Sequence, residues 1–280
     1  MNKEILIICR GGGDLATGIV HRLFRAGYQV LILETAEPAA IRRQVSFCEA
    51  VYEGTATVEG VTAERIYTAK KQAVEEVLQR GRIPLLVDPD GRSIEVLKPD
   101  VVVDAIIAKK NLGTYKEMAP LVIGIGPGFV AGEDVHLVVE SMRGHNLARI
   151  LETGSALANT GIPGNIGGYT KERVIHAAAE GYMKNLHQIG DVVQKGEEIA
   201  RIYEQMSPDG VFSGRFVSVE ATIPGVLRGL IREGYHFQKG FKIADIDPRE
   251  SELANCFTIS DKASSIGGSV LEAVCRYVNG

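Results

Sequence analysis

The stretch IICRGGGDLATG, from Ile7 to Gly18, places three consecutive glycines between an apolar segment and a helical pattern. The apolar segment predicts a buried strand that ends at the glycines. After the glycines, Leu15, Ile19 and Leu23 recur four residues apart, which is the spacing of one helical face. The stretch therefore predicts a strand, a tight loop and a helix in direct succession.

The glycines match a pattern that is typical of dinucleotide binding. Gly11, Gly13 and Ala16 fit G-x-G-x-x-G/A, and Glu34 ends the next predicted strand, where a carboxylate accepts hydrogen bonds from a ribose. Such glycines allow the backbone to approach a pyrophosphate, and the helix N-terminus offers free N–H groups to it. The alternative is a glycine turn without a ligand, and Asp14 favours it, because its carboxylate would repel a phosphate or simply cap the helix.

Composition narrows the class of protein. The 280 residues are 45% hydrophobic with a net charge of −4, so there is no basic excess of the kind that nucleic-acid-binding proteins show. No apolar run approaches the roughly 18 to 20 residues that span a bilayer, and the N-terminal apolar stretch is too short for a signal peptide. We therefore predict a cytoplasmic protein without nucleic-acid or membrane partners. The histidines and four scattered cysteines show no metal-ligand spacing, so no metal site is predicted.

Apolar runs alternate with helical patterns through the first half of the chain. Runs such as IPLLVD, DVVVDAII and LVIGIG follow the first two predicted strands, which predicts a Rossmann-like α/β domain with a parallel sheet. Ligands bind at the C-terminal strand ends of such sheets. The candidate cofactor-binding residues lie at these predicted ends or in the loops after them: Gly11, Gly12, Gly13, Asp14, Ala16, Glu34, Lys109, Asn111, Gly126, Gly128, Arg143 and His145.

Several of these candidates have a plain alternative. Lys109 faces an anion or lies in a solvated loop, and Arg143 and His145 bind an anion or form the polar tip of a hairpin. The glycine-rich segment 159–168 is predicted to connect two domains and to cover a ligand. No catalytic residue is identifiable, and the sequence leaves open whether the protein is an enzyme.

The second half of the chain contains an internal repeat. Seven identities occur at one constant offset of 44 residues: Gly181/Gly225, Gly190/Gly234, Lys195/Lys239, Gly196/Gly240, Ile199/Ile243, Ala200/Ala244 and Ile202/Ile246. The pattern resembles the biotinyl/lipoyl carrier domain, which implies a small duplicated all-β barrel-sandwich-hybrid domain. No lysine lies between Lys195 and Lys239, so we predict that the chain carries neither biotin nor lipoate. The domain then acts as a scaffold or binding surface, or serves packing alone.

These patterns predict three segments. Residues 1–168 form a Rossmann-like nucleotide- or cofactor-binding domain with connecting loops, and residues 169–250 form the duplicated barrel-sandwich-hybrid domain. Residues 251–280 form a C-terminal segment with a helix.

Five stretches, in this order, resemble one protein family: GGGDLATGIVHRLFRAGYQV, AIRRQVSFCEAVYEGTATVEGVTAERI, VDAIIAKKNLGT, IGIGPGFVAGEDVHLVVESMRGH and NTGIPGNIGGYTKERV. The family is that of the selenium-dependent molybdenum hydroxylase accessory proteins of YqeB type, whose first half is distantly similar to the XdhC/CoxI maturation factors. The resemblance implies a role in building molybdenum hydroxylases, and hence a hydroxylase client as partner. It assigns no catalytic residue.

Together, residues and resemblance predict a maturation factor that binds a nucleotide or a pterin dinucleotide. Two alternatives stay open, namely an NAD(P)-dependent oxidoreductase and a non-enzymatic scaffold that docks the hydroxylase. Molybdopterin dinucleotide and NAD(P) both contain a pyrophosphate, so the loop does not distinguish them. The sequence does not decide the oligomeric state, and a homo-oligomer is possible.

Overall fold

The computed structural model describes residues 5–158, 161 and 164–280. The chain divides into two compact units, which we call the α/β unit and the antiparallel unit. The α/β unit consists of residues 1–38, 45–160 and 259–280, and the antiparallel unit of residues 39–44 and 161–258. These limits differ from the predicted boundaries at residues 168 and 250, because the C-terminal helix groups with the α/β unit and residues 39–44 group with the antiparallel unit.

One large sheet runs through the α/β unit. Among the described residues it has nine strands: β1 (Leu6–Arg10), β2 (Gln29–Glu34), β3 (Thr55–Val58), β4 (Val61–Ile66), β5 (Ile83–Val87), β6 (Val101–Asp104), β7 (Leu121–Ile125), β8 (Leu137–Val139) and β9 (Ile150–Leu151). Their order is β3-β4-β5-β2-β1-β6-β7-β8-β9. Neighbouring strands from β4 to β8 are parallel, whereas the edge pairs β3–β4 and β8–β9 are antiparallel.

The strand order reverses direction at β1. After β1 the chain adds β2 and then β5 on one side, and it returns to place β6 and then β7 on the other side. The crevice outside the C-terminal ends of β1 and β6 is therefore the topological switch point, where ligands of open α/β sheets bind.

Helices cover both faces of this sheet. They are α1 (Asp14–Arg25), α2 (Ala50–Glu53), α3 (Lys71–Gln79), α4 (Ser93–Leu97) and α5 (Asp261–Asn279). Ile7 packs in the same core as Ile19 of α1 and Val270 of α5. The next residue, Ile8, packs on the opposite face with Val74 of α3. Strands buried on both faces explain why their apolar runs are nearly continuous.

Helix α5 packs closely on α1 through small residues. A Cβ atom on Gly18 would lie 2.7 Å from the carbonyl oxygen of Ala263, and one on Gly267 would lie 2.6 Å from the carbonyl oxygen of Gly18. Farther along, the Tyr28 hydroxyl lies 3.5 Å from the Cys275 thiol. Residue numbers increase in the same direction along both helices, so α1 and α5 run parallel and their N-termini lie at the same end.

The antiparallel unit contains two four-stranded sheets in the described part of the chain. Its strands are β10 (Val174–His176), β11 (Gly181–Asn185), β12 (Val192–Val193), β13 (Glu198–Met206), β14 (Phe212–Glu220), β15 (Gly225–Leu230), β16 (His236–Phe237) and β17 (Lys242–Asp247). The sheet orders are β10-β17-β15-β12 and β14-β13-β11-β16. Short 3-10 segments occupy Arg43–Val45, Phe47–Glu49, Lys116–Met118, Lys171–Arg173 and Glu250–Phe257.

The 44-residue repeat has a structural counterpart. Strands β11, β12 and β13 begin at residues 181, 192 and 198, and β15, β16 and β17 begin 44 residues later, at 225, 236 and 242. The halves exchange their short strands, because β12 pairs with β15 and β16 pairs with β11. The first strand of each repeat, β11 or β15, thus gains a partner from the other half.

The predicted fold class is wrong in two respects. The large sheet is mixed rather than parallel, because β3 pairs antiparallel with β4 at one edge and β9 returns antiparallel at the other edge. The second unit is not assigned as a biotinyl/lipoyl domain, because its two sheets are unequal. Strands β13 and β14 have nine residues each, whereas β17 and β10 in the corresponding positions have six and three.

The glycine-rich segment 159–168 is only partly described. Asn159, Thr160, Ile162 and Pro163 lie outside the described residues. The prediction that this segment covers a ligand stays a prediction.

Candidate functional site

The glycine loop, Gly11–Gly13, lies at the switch point of the α/β unit. Gly11 has a φ of +99°, and a Cβ atom there would lie 2.9 Å from the carbonyl oxygen of Ala105, directly after β6. Only glycine combines this conformation with such a close approach. The loops that follow β1 and β6 are therefore in direct contact at Gly11.

Gly12 is fixed by hydrogen bonds on both sides of its peptide. Its N–H donates to a carboxylate oxygen of Glu34 at 2.8 Å. Its carbonyl oxygen accepts from the backbone N–H of Cys48 at 2.8 Å and from the Thr17 hydroxyl at 3.2 Å. The segment at Cys48 thus lies against the loop, a neighbour that the sequence did not indicate.

Gly13 faces open space. A Cβ atom built on it has no neighbour within 4 Å among the described residues, and its φ of −67° suits any amino acid. It is the N-cap of α1 without a side-chain cap, while the carboxylate of Asp14 accepts the N–H of Leu15 at 2.9 Å. Ala16 lies in the first turn of α1 and is buried. The loop therefore leaves room for a ligand at Gly13 and at the first turn of α1.

Glu34 joins β2 to the glycine loop. Besides Gly12, it accepts the backbone N–H of Thr35 at 2.7 Å. Burial raises the pKa of Glu34, and the two backbone hydrogen bonds act in the opposite direction. Each carboxylate oxygen keeps a lone pair beyond these bonds, so the group can still accept a hydrogen bond from a ligand hydroxyl.

A buried network of charged and polar side chains connects the ends of β1 and β6. Arg10, the last residue of β1, lies 3.6 Å from the Asp104 carboxylate at the end of β6 and donates to the Thr114 hydroxyl. Thr114 donates in turn to Asp104 at 2.5 Å. All three side chains are almost fully buried. The network fixes β1 against β6, and no local sequence pattern indicates it because its members are far apart along the chain.

The loops after β6 and β7 use their predicted site residues for packing. The Asn111 side chain closes a turn with the backbone of Thr114, with both hydrogen bonds at 2.7 Å. A Cβ atom on Gly128 would lie 2.8 Å from the backbone of Lys110, and one on Gly126 would overlap the Ser141 hydroxyl. Lys109 is exposed. The structure gives Asn111, Gly126 and Gly128 a structural role, and ligand contact by these residues stays a prediction.

Arg143 lies at the edge of this region and is paired. Its guanidinium donates to both carboxylate oxygens of Asp261, at 2.7 and 2.9 Å, and this interaction raises its pKa. His145 is exposed in the same loop. Arg143 thus connects the loop after β8 to the first turn of α5, which is a different role from the predicted contact with an anion.

Lys262 is a further residue of this region that no sequence pattern indicated. It lies in the first turn of α5 and is half-buried, and burial followed by the nearby Arg143 lowers its pKa. The carboxylates of Asp14 and Glu140 act on it in the opposite direction. Only the packing of α5 on α1 brings this lysine near the glycine loop, so no local sequence signal marks it.

The described residues lack two kinds of feature. They contain no group of three or more histidine, cysteine or acidic side chains placed to hold a metal ion. Within residues 5–158, 161 and 164–280, no helix is both long and apolar enough to cross a membrane.

Comparison with known proteins gives one strong sequence match. The uncharacterized protein YqeB of Escherichia coli (strain K12) is 46% identical over 274 residues, which are 98% of this chain and 48% of that protein. The chain is a relative of YqeB. It spans about half the length of this relative, and no protein-family model matches the chain. The resemblance to YqeB-type proteins is thereby confirmed, whereas the distant likeness to XdhC/CoxI factors stays a prediction.

Solved structures match only weakly. They include the product-bound ectoine utilization protein EutE (DoeB) from Ruegeria pomeroyi, at 10% identity and a TM-score of 0.28 over 87% of this chain and 85% of that chain. A succinylglutamate desuccinylase from a Silicibacter species has 13% identity and a TM-score of 0.25, with the same coverage of 87% and 85%. An aspartoacylase family protein from Mesorhizobium loti has 11% identity and a TM-score of 0.28, again over 87% and 85%.

This comparison contradicts the predicted function. The matching structures have the names of a desuccinylase, an aspartoacylase family protein and an ectoine utilization protein, not of molybdenum hydroxylase maturation factors. The maturation role and its molybdenum-cofactor and selenium assignments are therefore wrong on this finding. TM-scores of 0.25 and 0.28 in turn transfer no hydrolase chemistry to this chain.

Proposed function

We propose that the α/β unit binds a dinucleotide at the switch point between β1 and β6. The observation that carries the proposal is the coincidence of this crevice with the glycine loop and the open N-terminus of α1. No reaction is assigned to the site.

The parts of a dinucleotide match distinct groups of the site. The pyrophosphate would lie against Gly13 and the first turn of α1, where a side chain would otherwise fill the space. The hydroxyls of one ribose would donate to Glu34, which the loop holds in place through Gly12. Lys109, in the loop that follows β6, is the predicted contact for the remaining groups.

Two carboxylates near the glycine loop restrict the orientation of the ligand. Asp14 and Glu34 flank the glycine loop, and negative charge there opposes a pyrophosphate. Burial raises the pKa of Glu34, which reduces this opposition when the group takes up a proton. The arrangement therefore favours a ligand that brings hydroxyl donors to Glu34 together with its phosphates.

The test is the identity of the ligand that co-purifies with the protein. The chain and its Gly13→Val variant should be purified in parallel from a native host and analysed by mass spectrometry under non-denaturing and denaturing conditions. We expect a dinucleotide with the wild type and none with the variant. A wild-type ligand without a pyrophosphate, or the same dinucleotide on both proteins, would contradict the proposal.

A further inference from the structure

Strand β14 lies at the edge of its sheet in the antiparallel unit. The order β14-β13-β11-β16 gives it one neighbouring strand, β13, in the described part of the chain. Seven of its nine residues are exposed. An edge strand of this length presents a row of backbone N–H and C=O groups to solvent, and such a row is a template for pairing with another strand.

Large apolar side chains are exposed on both faces of β14. Phe216 is 46% exposed and the next residue, Val217, is 41% exposed. Successive side chains of a strand point to opposite faces of the sheet, so neither face covers this edge. Lysine and proline commonly block the pairing of edge strands, and β14 contains neither. Its bulge precedes Phe216, which leaves the segment from Phe216 to Glu220 free to pair.

A row of rings crosses the sheet and ends at this edge. His236 is paired with Tyr182, and Tyr182 is paired with Tyr203. Tyr203 is paired in turn with Phe216, with ring centroids 5.2 Å apart. Among the described residues, the ring neighbour of Phe216 lies on the side of β13 alone. A second sheet placed against β14 would continue the row.

The charged residues of β14 suit an antiparallel copy of the same strand. Arg215 is its fourth residue and Glu220 its last, and both are exposed. With a two-fold axis near Val217 or Ser218, Arg215 of one copy lies within one residue of the position opposite Glu220 of the other copy. The axis repeats this contact, so opposite charges meet twice. A parallel arrangement would bring like charges together instead.

The other charged side chains on this face are already paired with each other. Lys184 and Arg201 lie over phenylalanine rings of β14. The ammonium of Lys184 is 2.9 Å from the Glu233 carboxylate, and the guanidinium of Arg201 is 2.8 Å from the Glu198 carboxylate. These pairs cancel in charge, so the face does not favour a polyanion such as a nucleic acid. It fits an apolar strand of balanced charge, and β14 itself is such a strand.

We propose that two copies of this chain form a dimer through antiparallel pairing of their β14 strands about a two-fold axis. The pairing joins the four-stranded sheets of the two copies into one continuous sheet and brings both Phe216 rings to the interface. Pairing along one strand buries a small area, so the dimer is weak and depends on protein concentration.

Sedimentation equilibrium of the intact chain over a wide concentration range tests the proposal. Arg215→Glu or Glu220→Arg places like charges together at both contacts, so each should raise the dissociation constant of the dimer about tenfold or more. The double variant restores opposite charges and should recover most of the affinity. Lys195→Glu is the matched control, because it changes the net charge as Arg215→Glu does, at an exposed turn outside β14. It should behave as wild type.

Val217→Lys tests the strand pairing itself. A lysine in an edge strand opposes the addition of another strand, so this variant should be monomeric. Because Val217 is already 41% exposed, the substitution should leave the fold intact. Dimerisation of a folded Val217→Lys variant with the wild-type dissociation constant would contradict the proposal.

Hydrogen exchange of the wild type at low and high concentration needs no variant. Amides of β14 should be protected at high concentration, whereas those of β10, an edge strand of the other sheet, should exchange equally at both concentrations. A chain that stays monomeric, or a dimer whose β14 amides exchange equally at both concentrations, overturns the inference. Single charge reversals that leave the dissociation constant unchanged overturn it as well.

Discussion

The Glu34 carboxylate accepts a hydrogen bond from the backbone N–H of Gly12 at 2.8 Å, so the end of β2 is tied to the glycine loop after β1. The bond fixes an acidic group at the edge of the space that opens at Gly13. The loop is thus preorganised by a carboxyl group of the protein itself.

Glu34→Gln should change how stability depends on pH. Burial raises the pKa of Glu34 above its ordinary value of 4.5, so the folded chain binds more protons than the unfolded chain between the two pKa values. The contribution of Glu34 to stability is fully present below pH 4.5 and is lost as the pH rises through the folded pKa. Urea unfolding from acid to neutral pH should therefore show wild type losing stability relative to the variant. A difference that is independent of pH would refute the raised pKa.

Gly13→Val and Gly11→Val should separate binding from folding. A Cβ atom at Gly13 meets no atom of the described residues within 4 Å. The free energy of unfolding of this variant should therefore lie within about 0.5 kcal/mol of the wild-type value, the range of neutral surface substitutions. Gly11→Val places a branched side chain at a φ of +99° and 2.9 Å from a carbonyl oxygen, so it should be strongly destabilised. Equal free energies of unfolding for the two variants would show that the loop has a different conformation.

Two adjacent glycines of α5 should respond oppositely to alanine. Gly267→Ala forces a Cβ atom to within 2.6 Å of the Gly18 carbonyl oxygen and should cost about 1 to 3 kcal/mol of unfolding free energy. Gly268→Ala meets no neighbour within 4 Å and should stabilise the helix by up to about 1 kcal/mol. Chemical denaturation measures both, and a stabilising Gly267→Ala would mean that α5 does not pack on α1 in this way.

Arg10→Met should be among the most damaging single changes in the α/β unit. It leaves the buried Asp104 carboxylate without its cation, at a cost of about 3 to 5 kcal/mol. Arg276→Met removes an exposed ion pair with Glu152 and should leave stability nearly unchanged. Equal effects of the two substitutions on the denaturation midpoint would argue against a buried network.

Local sequence patterns predicted the parts of the fold that local chemistry decides. The strand, loop and helix from Ile7 to Gly18 and the repeated strands at the 44-residue offset are examples, since periodicity and glycine positions act over a few residues. The four-residue strand β3 and the antiparallel return of β9 gave no such pattern, so the sheet was predicted as parallel. The packing of α5 on α1 depends on residues almost 250 positions apart, such as Gly18 and Gly267.

The residues of the candidate site likewise fall into two groups, those that local spacing predicted and those that only tertiary packing positions. Gly11 and Glu34 were predicted from motif spacing, and the structure brings them to the same crevice. Arg143 was chosen for its chemistry alone, and its guanidinium is paired with Asp261. Lys262 was missed because its neighbours come from α1 and the loop after β8.

Calorimetric titration of the wild-type chain and Gly13→Val with NAD⁺ and NADP⁺ tests the central claim most directly. Both proteins should show the same thermal melt without ligand, so that a difference in binding reports on the loop alone. We predict that the wild type binds at least one of these dinucleotides and that Gly13→Val, with a side chain in the space beside α1, does not. Undiminished affinity of Gly13→Val, or no binding of either dinucleotide by the wild type, would contradict the account.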